Sequence, residues 1–188
     1  IVLSSDIILA KAFFSAEIAG QYAALSMLGK VVFFGTMAIG KTMFPLTSEK
    51  NYKKENTFNL FKKSFLIVSF LCLIAIFIYA VFPQIIINLL YGKQYLPAVP
   101  YLGLFGIFLS FYSLSFLLTN FFLSIGKTKA VIFPLIAGLL QIIFIFFFHQ
   151  NLWQVIFISI SLTALLFLGL LLYWFQYTSR RRSLLFPK

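Results

Sequence analysis

The sequence predicts an all-α integral membrane protein of about six transmembrane helices, and three observations carry that expectation. Hydrophobic residues make up 62% of 188 residues, and the mean hydropathy is +1.02. Charged residues are 10% of the chain, against ~25% in ordinary soluble domains. The basic residues gather in short segments between apolar runs. A soluble fold of this length has too little interior to hide so much apolar surface, so the solvent facing it is lipid.

The elements follow in order. Ile1 to Phe14 is apolar but shorter than the roughly 20 residues that cross a hydrocarbon core. It reads as a truncated helix, and a chain with no initiator Met, basic n-region or cleavage site reads as a fragment without a signal peptide. After a polar link from Ser15 to Gly20, a second helix is expected over 19–44, stopped by Pro45, which lacks the N–H that would continue it. Thr47 to Asn59, polar and lysine-rich, reads as a loop. A third helix is expected over 60–82, interrupted at Pro83. Gln84 to Tyr95 then reads as a short interfacial segment ending in the turn Tyr91-Gly92-Lys93, with Tyr91, Tyr95 and Tyr101 where an aromatic belt would lie. Further helices are expected over 98–125, 130–148 and 152–177, and Arg180 to Arg182 end the apolar series.

The formal net charge is +11, from 15 Lys and Arg against 4 Asp and Glu. Its distribution points to topology rather than to nucleic acid. Lys50, Lys53, Lys54, Lys62 and Lys63 mark one link, Lys127 and Lys129 another, and Arg180 to Arg182 the C-terminus. The alternate links hold only Glu17, Lys93 and no basic residue between His149 and Leu152. Every link therefore obeys one orientation, with the basic ones and the C-terminus cytoplasmic.

Cys72 is the only cysteine and His149 the only histidine, which leaves no disulfide framework, no zinc ligand set, no His-centred triad and no implied cofactor. Gly35-Thr36-Met37-Ala38-Ile39-Gly40-Lys41-Thr42 matches the phosphate-binding pattern G-x-x-x-x-G-K-[ST]. Such a loop must open a helix, whereas Pro45 is expected to close one here, and no Asp stands ready for Mg²⁺. Small residues on the second helix, Ala19, Gly20, Ala23, Ala24, Gly29, Gly35 and Gly40, suit either close helix approach or an open cavity wall.

What remains is a short set of polar groups inside the bilayer, where each carries an insertion cost and hence a functional question. Lys30 lies eleven residues past Ala19, about 16 Å deep at 1.5 Å per residue. Lys41 follows after eleven more, a net rotation of about 20°, so the two share a face with Ala23, Ser26 and Met37. Asp6 is placed ~12 Å from the outer end of the first helix, near the Lys30 level. It serves either a cavity or a static ion pair with Lys30. Lys11 and Lys41 can snorkel to the interface. Asn120 and Gln141 can line a cavity, but joining helices by hydrogen bonds is the stronger reading for each.

Four motifs follow one another along the chain: Asp6-Ile7-Ile8-Leu9-Ala10-Lys11 with Ala19-Gly20-Gln21-Tyr22-Ala23, Met43-Phe44-Pro45-Leu46, Leu90-Tyr91-Gly92-Lys93-Gln94-Tyr95, and Phe122-Leu123-Ser124-Ile125-Gly126-Lys127-Thr128. Their order resembles the C-terminal lobe of the multidrug, oligosaccharidyl-lipid and polysaccharide exporter superfamily, and within it the O-antigen and polysaccharide flippases. There they resemble, in turn, the first helix of that lobe with its lead-in to the next, a helix end, a turn and a loop. The resemblance implies that residues 1–188 form one lobe of a two-lobe transporter in the bacterial cytoplasmic membrane, its N-terminal lobe lying outside this sequence. It implies alternating access and movement of an undecaprenyl-diphosphate-linked oligosaccharide to the outer leaflet for surface polysaccharide synthesis. Lys30, Asp6, Lys41 and Asn120 are then the candidate cavity residues, with the lipid-linked oligosaccharide and membrane lipids as partners.

Two other classes stay open. A drug/cation antiporter of the multidrug and toxin extrusion type shares the fold and favours acidic cavity residues, for which Asp6 is the one deep acid. A non-transporting membrane subunit is the other. A membrane glycosyltransferase or polymerase would need a loop of acidic or His residues, which the sequence does not offer.

Overall fold

In the computed structural model, residues 2–185 are described, with side chains over 4–178. Ile1, the expected start of the first helix, and the side chains of Arg180 to Arg182 lie outside that description. The chain forms α1 (Val2–Phe13), α2 (Ala16–Tyr52), α3 (Phe58–Val81), α4 (Pro83–Tyr91), α5 (Val99–Ser124), α6 (Ile132–Phe147) and α7 (Leu152–Leu185). Tight 3-10 turns over Lys93–Ala98 and Thr128–Val131 lead into α5 and α6. Five stretches are long and apolar enough to cross a bilayer: Ala16–Tyr52, Phe58–Val81, Lys93–Ser124, Thr128–Phe147 and Leu152–Thr178. With α1 beside them this is an all-α, multi-pass membrane protein, as composition predicts.

The second helix corrects the sequence reading. It does not stop at Pro45 but runs through it to Tyr52, so the expected loop from Thr47 to Asn59 shrinks to residues 53–57. Pro45 removes only the N–H that would bond the Lys41 carbonyl. Unwinding the following turns would expose several more backbone groups. The real stop is a turn. Lys54 takes a left-handed conformation (φ 58°), the Lys54 N–H donates to the Asn51 carbonyl at 3.1 Å, and the Glu55 N–H to the Lys50 carbonyl at 2.8 Å. That pair of bonds is the Schellman closure of a helix end. Gly126 (φ 77°) closes α5 in the same way, with Lys127 N–H donating to the Phe122 carbonyl at 2.8 Å. The last helix likewise passes beyond residue 177, and Arg180 to Arg182 lie within α7.

At the centre of the bundle is α5, packed against α2, α3 and α7, while α6 bridges α7 and α1, and α1 folds back on α2. Leu102, Phe105, Phe108, Leu109, Leu118 and Phe122 of α5 are almost fully buried. The α2–α5 seam is close because of glycine: a Cβ on Gly29 would sit 2.9 Å from Leu109 Cδ2, and one on Gly40 3.2 Å from Phe116 Cε1. On the α3 side, Gly106 meets Tyr79, whose hydroxyl donates to the Leu28 carbonyl at 2.7 Å. Gly35 meets nothing within 4 Å. The small residues of α2 thus divide between close packing and an open face. Gly29→Val should lower thermal stability in detergent by about 1–3 kcal/mol through overpacking, whereas Gly35→Val should leave it unchanged. Equal melting of the two variants would contradict the seam.

The links fall into two groups. At one end Phe58 stacks on Trp174 (5.5 Å between centroids) and Lys127 lies 5.9 Å over the Tyr177 ring. At the other Phe13 stacks on His149 (3.8 Å) and Tyr101 meets Trp153 (5.5 Å). The basic links and the non-basic links therefore occupy opposite ends of the bundle.

Candidate functional site

Among the described residues, one face of α2 has no helix against it. Met27, Val31, Phe34, Gly35, Ala38 and Lys41 are exposed along it, at helical spacing, while Tyr22, Leu25, Gly29, Val32, Phe33 and Thr36 turn into the bundle. Lys30 is half-buried at the border between the two. Of the neighbours expected to share its face, Ala23 and Met37 are also half-buried, but Ser26 is buried. Because α2 begins at Ala16, Lys30 lies about 21 Å along the helix and Lys41 about 38 Å. Counted from Ala16, Lys30 falls within the ~30 Å length of a hydrocarbon core and Lys41 beyond it.

Asp6 goes elsewhere. It is 1% exposed, and its Oδ2 accepts a hydrogen bond from the Tyr22 hydroxyl at 2.9 Å. Tyr22 is itself fully buried, with Ser159 near its hydroxyl. The Gln141 side-chain amide donates to Ser159 Oγ at 3.0 Å, and Ser159 Oγ donates to the Val155 carbonyl at 3.0 Å. One polar cluster thus joins α1, α2, α6 and α7 inside the bundle. Asp6 Oδ1 and Gln141 Oε1 have no partner in it.

The alternative of an Asp6–Lys30 ion pair is absent from the described residues, whose two ion pairs, Lys50–Glu55 (3.4 Å) and Lys53–Glu49 (2.6 Å), lie in the exposed region around the α2–α3 link. Register explains the difference. A short turn through Phe14 and Ser15 joins antiparallel α1 and α2, and Ser15 caps the second by accepting from the Ile18 N–H at 3.5 Å. Counting back from Phe13 and forward from Ala16 brings Asp6 level with Tyr22, about 12 Å short of Lys30. Tyr22 and Ser159 are the members that sequence reasoning missed. The helix-hairpin count could have found Tyr22. Ser159 carried no signal.

Gln141 does join helices, as expected, but Asn120 does not. The Asn120 carboxamide donates to the Phe116 carbonyl of its own helix at 2.8 Å, a turn from where Gly40 meets Phe116. It accompanies neither Lys30 nor Asp6. Lys11 is exposed in the last turn of α1, as snorkelling requires. Gly35 to Thr42 lies wholly inside α2, where backbone amides are spent on the helix and the Thr42 hydroxyl bonds the Ala38 and Ile39 carbonyls at 3.1 and 3.0 Å. It cannot cradle phosphates, and the helix interior rather than Pro45 is the reason. Among the described residues no three His, Cys, Asp or Glu converge as metal ligands.

The family described as polysaccharide biosynthesis protein matches residues 2–100, slightly more than half of the chain. The chain belongs to that family. Comparison with curated proteins and with solved structures gave no match. The matched stretch contains α1 to α4, hence Asp6, Tyr22, Lys30 and Lys41, and agrees with the resemblance to polysaccharide flippases drawn from the motif order. This is a multi-pass, all-helical membrane protein of a polysaccharide biosynthesis family.

Proposed function

We propose that the chain is the C-terminal lobe of a flippase that moves an undecaprenyl-diphosphate-linked oligosaccharide across the bacterial cytoplasmic membrane. The observation that carries this reading is Lys30, a half-buried lysine on the edge of an unpartnered face of a helix long and apolar enough to cross a bilayer. A lysine at that depth costs about 2.5–3.5 kcal/mol on insertion scales, so it implies an anion or a water-filled path beside it. A lipid diphosphate is such an anion, and the family supplies the polysaccharide context.

In this reading the basic end and the C-terminus face the cytoplasm. Lys41 meets the diphosphate at the inner border, Lys30 offers the next positive charge about 16 Å further on, and the open face of α2 forms one wall of a cavity shared with an N-terminal lobe. The buried position of Asp6 argues against the antiporter alternative, because its carboxyl is engaged by Tyr22 within the bundle and does not face the open side of α2.

A strain lacking the protein should make lipid-linked oligosaccharide but strand it on the inner leaflet. Inside-out membrane vesicles from that strain should bind more of a lectin against the glycan than wild-type vesicles do, and the intact protein should reverse this. A strain that builds no lipid-linked oligosaccharide at all would place the protein before translocation and sink the flippase reading.

A further inference from the structure

At the non-basic end of the bundle, α4 and the turn into α5 border an open cleft of about 600 Å³ lined by Gln84, Ile85, Asn88, Lys93, Leu96, Val99 and Pro100. That volume is in the range of small-molecule sites. Glycine makes the corner: Gly92, at φ 85°, ends α4 and turns the chain so that Lys93 faces back toward the helix it has just left. On α4, Ile87 is buried, while Gln84, Ile85, Asn88 and Leu89 are exposed. A nine-residue helix with polar and large apolar residues both exposed, beside the paired rings of Tyr91 and Tyr95 (5.4 Å), suits the boundary between headgroups and hydrocarbon.

The lining discriminates among ligands. Lys93 is the one Lys or Arg between Lys63 and Lys127, in a link that orientation would deplete of basic residues. No carboxylate lines the cleft, which leaves nothing to hold a metal ion or the ammonium of a zwitterionic headgroup. No aromatic ring lines it, so a sugar finds no stacking surface. A single phosphodiester matches the one ammonium, two carboxamides supply hydrogen bonds to hydroxyls, and Ile85, Leu96 and Val99 continue as an apolar wall. We propose that this cleft binds the headgroup of an anionic glycerophospholipid, with Lys93 on the phosphate, Gln84 and Asn88 on the headgroup hydroxyls, and the acyl chains leaving along the apolar wall.

The site stands apart from the α2 face, and the test is independent of transport. The intact protein, purified in detergent and stripped of lipid, is titrated with phosphatidylglycerol, phosphatidylethanolamine or polyprenyl diphosphate, and retained lipid is counted by native mass spectrometry. One phosphatidylglycerol should bind preferentially over phosphatidylethanolamine. Lys93→Glu should weaken it by about tenfold, Lys93→Met by less, and Gln84→Ala with Asn88→Ala severalfold. Lys129→Glu, in a link at the opposite end, should change nothing. Equal retention by Lys93→Glu and Lys93→Met and the wild type, equal binding of phosphatidylethanolamine, or displacement of phosphatidylglycerol by polyprenyl diphosphate at equal concentration would each overturn the assignment.

Discussion

Lys30→Ala should abolish surface polysaccharide while leaving the protein in the membrane at its normal level. The two halves of that outcome have separate physical grounds. Removing a half-buried ammonium relieves an insertion cost of about 2.5–3.5 kcal/mol, and the described residues show Lys30 in no ion pair whose loss would strand a buried acid. Folding should therefore tolerate the change. Transport should not, because the diphosphate would then face ~30 Å of hydrocarbon with its remaining cation, Lys41, at the edge. Lys30→Arg should keep part of the activity, since it preserves charge at similar reach but changes donor geometry. Lys41→Ala should have a smaller effect, because an exposed lysine at the border is replaceable by its neighbours. Quantitative staining of surface polysaccharide beside immunoblots of membrane level measures both halves. Normal polysaccharide in Lys30→Ala would remove this residue from the substrate path.

Much of the architecture was legible because lipid imposes a simple rule: long apolar runs become helices, and the breaks between them show as charge, Pro and Gly. The α3, α5 and α6 runs were read to within two or three residues on that basis. Pro45 misled because a proline forfeits only one helix hydrogen bond, and α2 keeps the others and passes through it to Tyr52. Lys54 in a left-handed turn has no reliable sequence signature, since that conformation normally selects Gly or Asn. On α2, the side taken by Lys30 and Lys41 was legible because one residue's place on a helix fixes its face. Asp6 was legible as buried but not as bonded to Tyr22, because its partner depends on where the next helix begins. A three-residue error in that start, Ala19 against Ala16, moves a partner by nearly a turn. Ser159 entered only through tertiary packing.

The Asp6 cluster should show up as strong coupling to Tyr22 and little to Lys30. Tyr22→Phe removes the one side-chain hydrogen bond made to the Asp6 carboxyl, leaving both of its oxygens without partners in a fully packed site. Stranding a buried charged or strongly polar group in that way destabilises by about 3–5 kcal/mol. Tyr22→Phe should accordingly lose most of its membrane level. Asp6→Leu combined with Tyr22→Phe should recover much of that level, because deleting both partners leaves no orphaned carboxyl. Asp6→Asn should be milder than either single loss, since a carboxamide still accepts from the Tyr22 hydroxyl. Thermal melting of the detergent-purified variants gives the interaction energy as the departure from additivity, expected above about 1 kcal/mol for Asp6 with Tyr22 and near zero for Asp6→Asn with Lys30→Gln. The second cycle also has a transport readout. If the hairpin register is right, Asp6→Asn cannot rescue Lys30→Gln, because the two side chains sit at different depths and neutralising one does not release the other. A fully active Asp6→Asn, Lys30→Gln double variant would reinstate the ion pair and leave the diphosphate without its partner on α2.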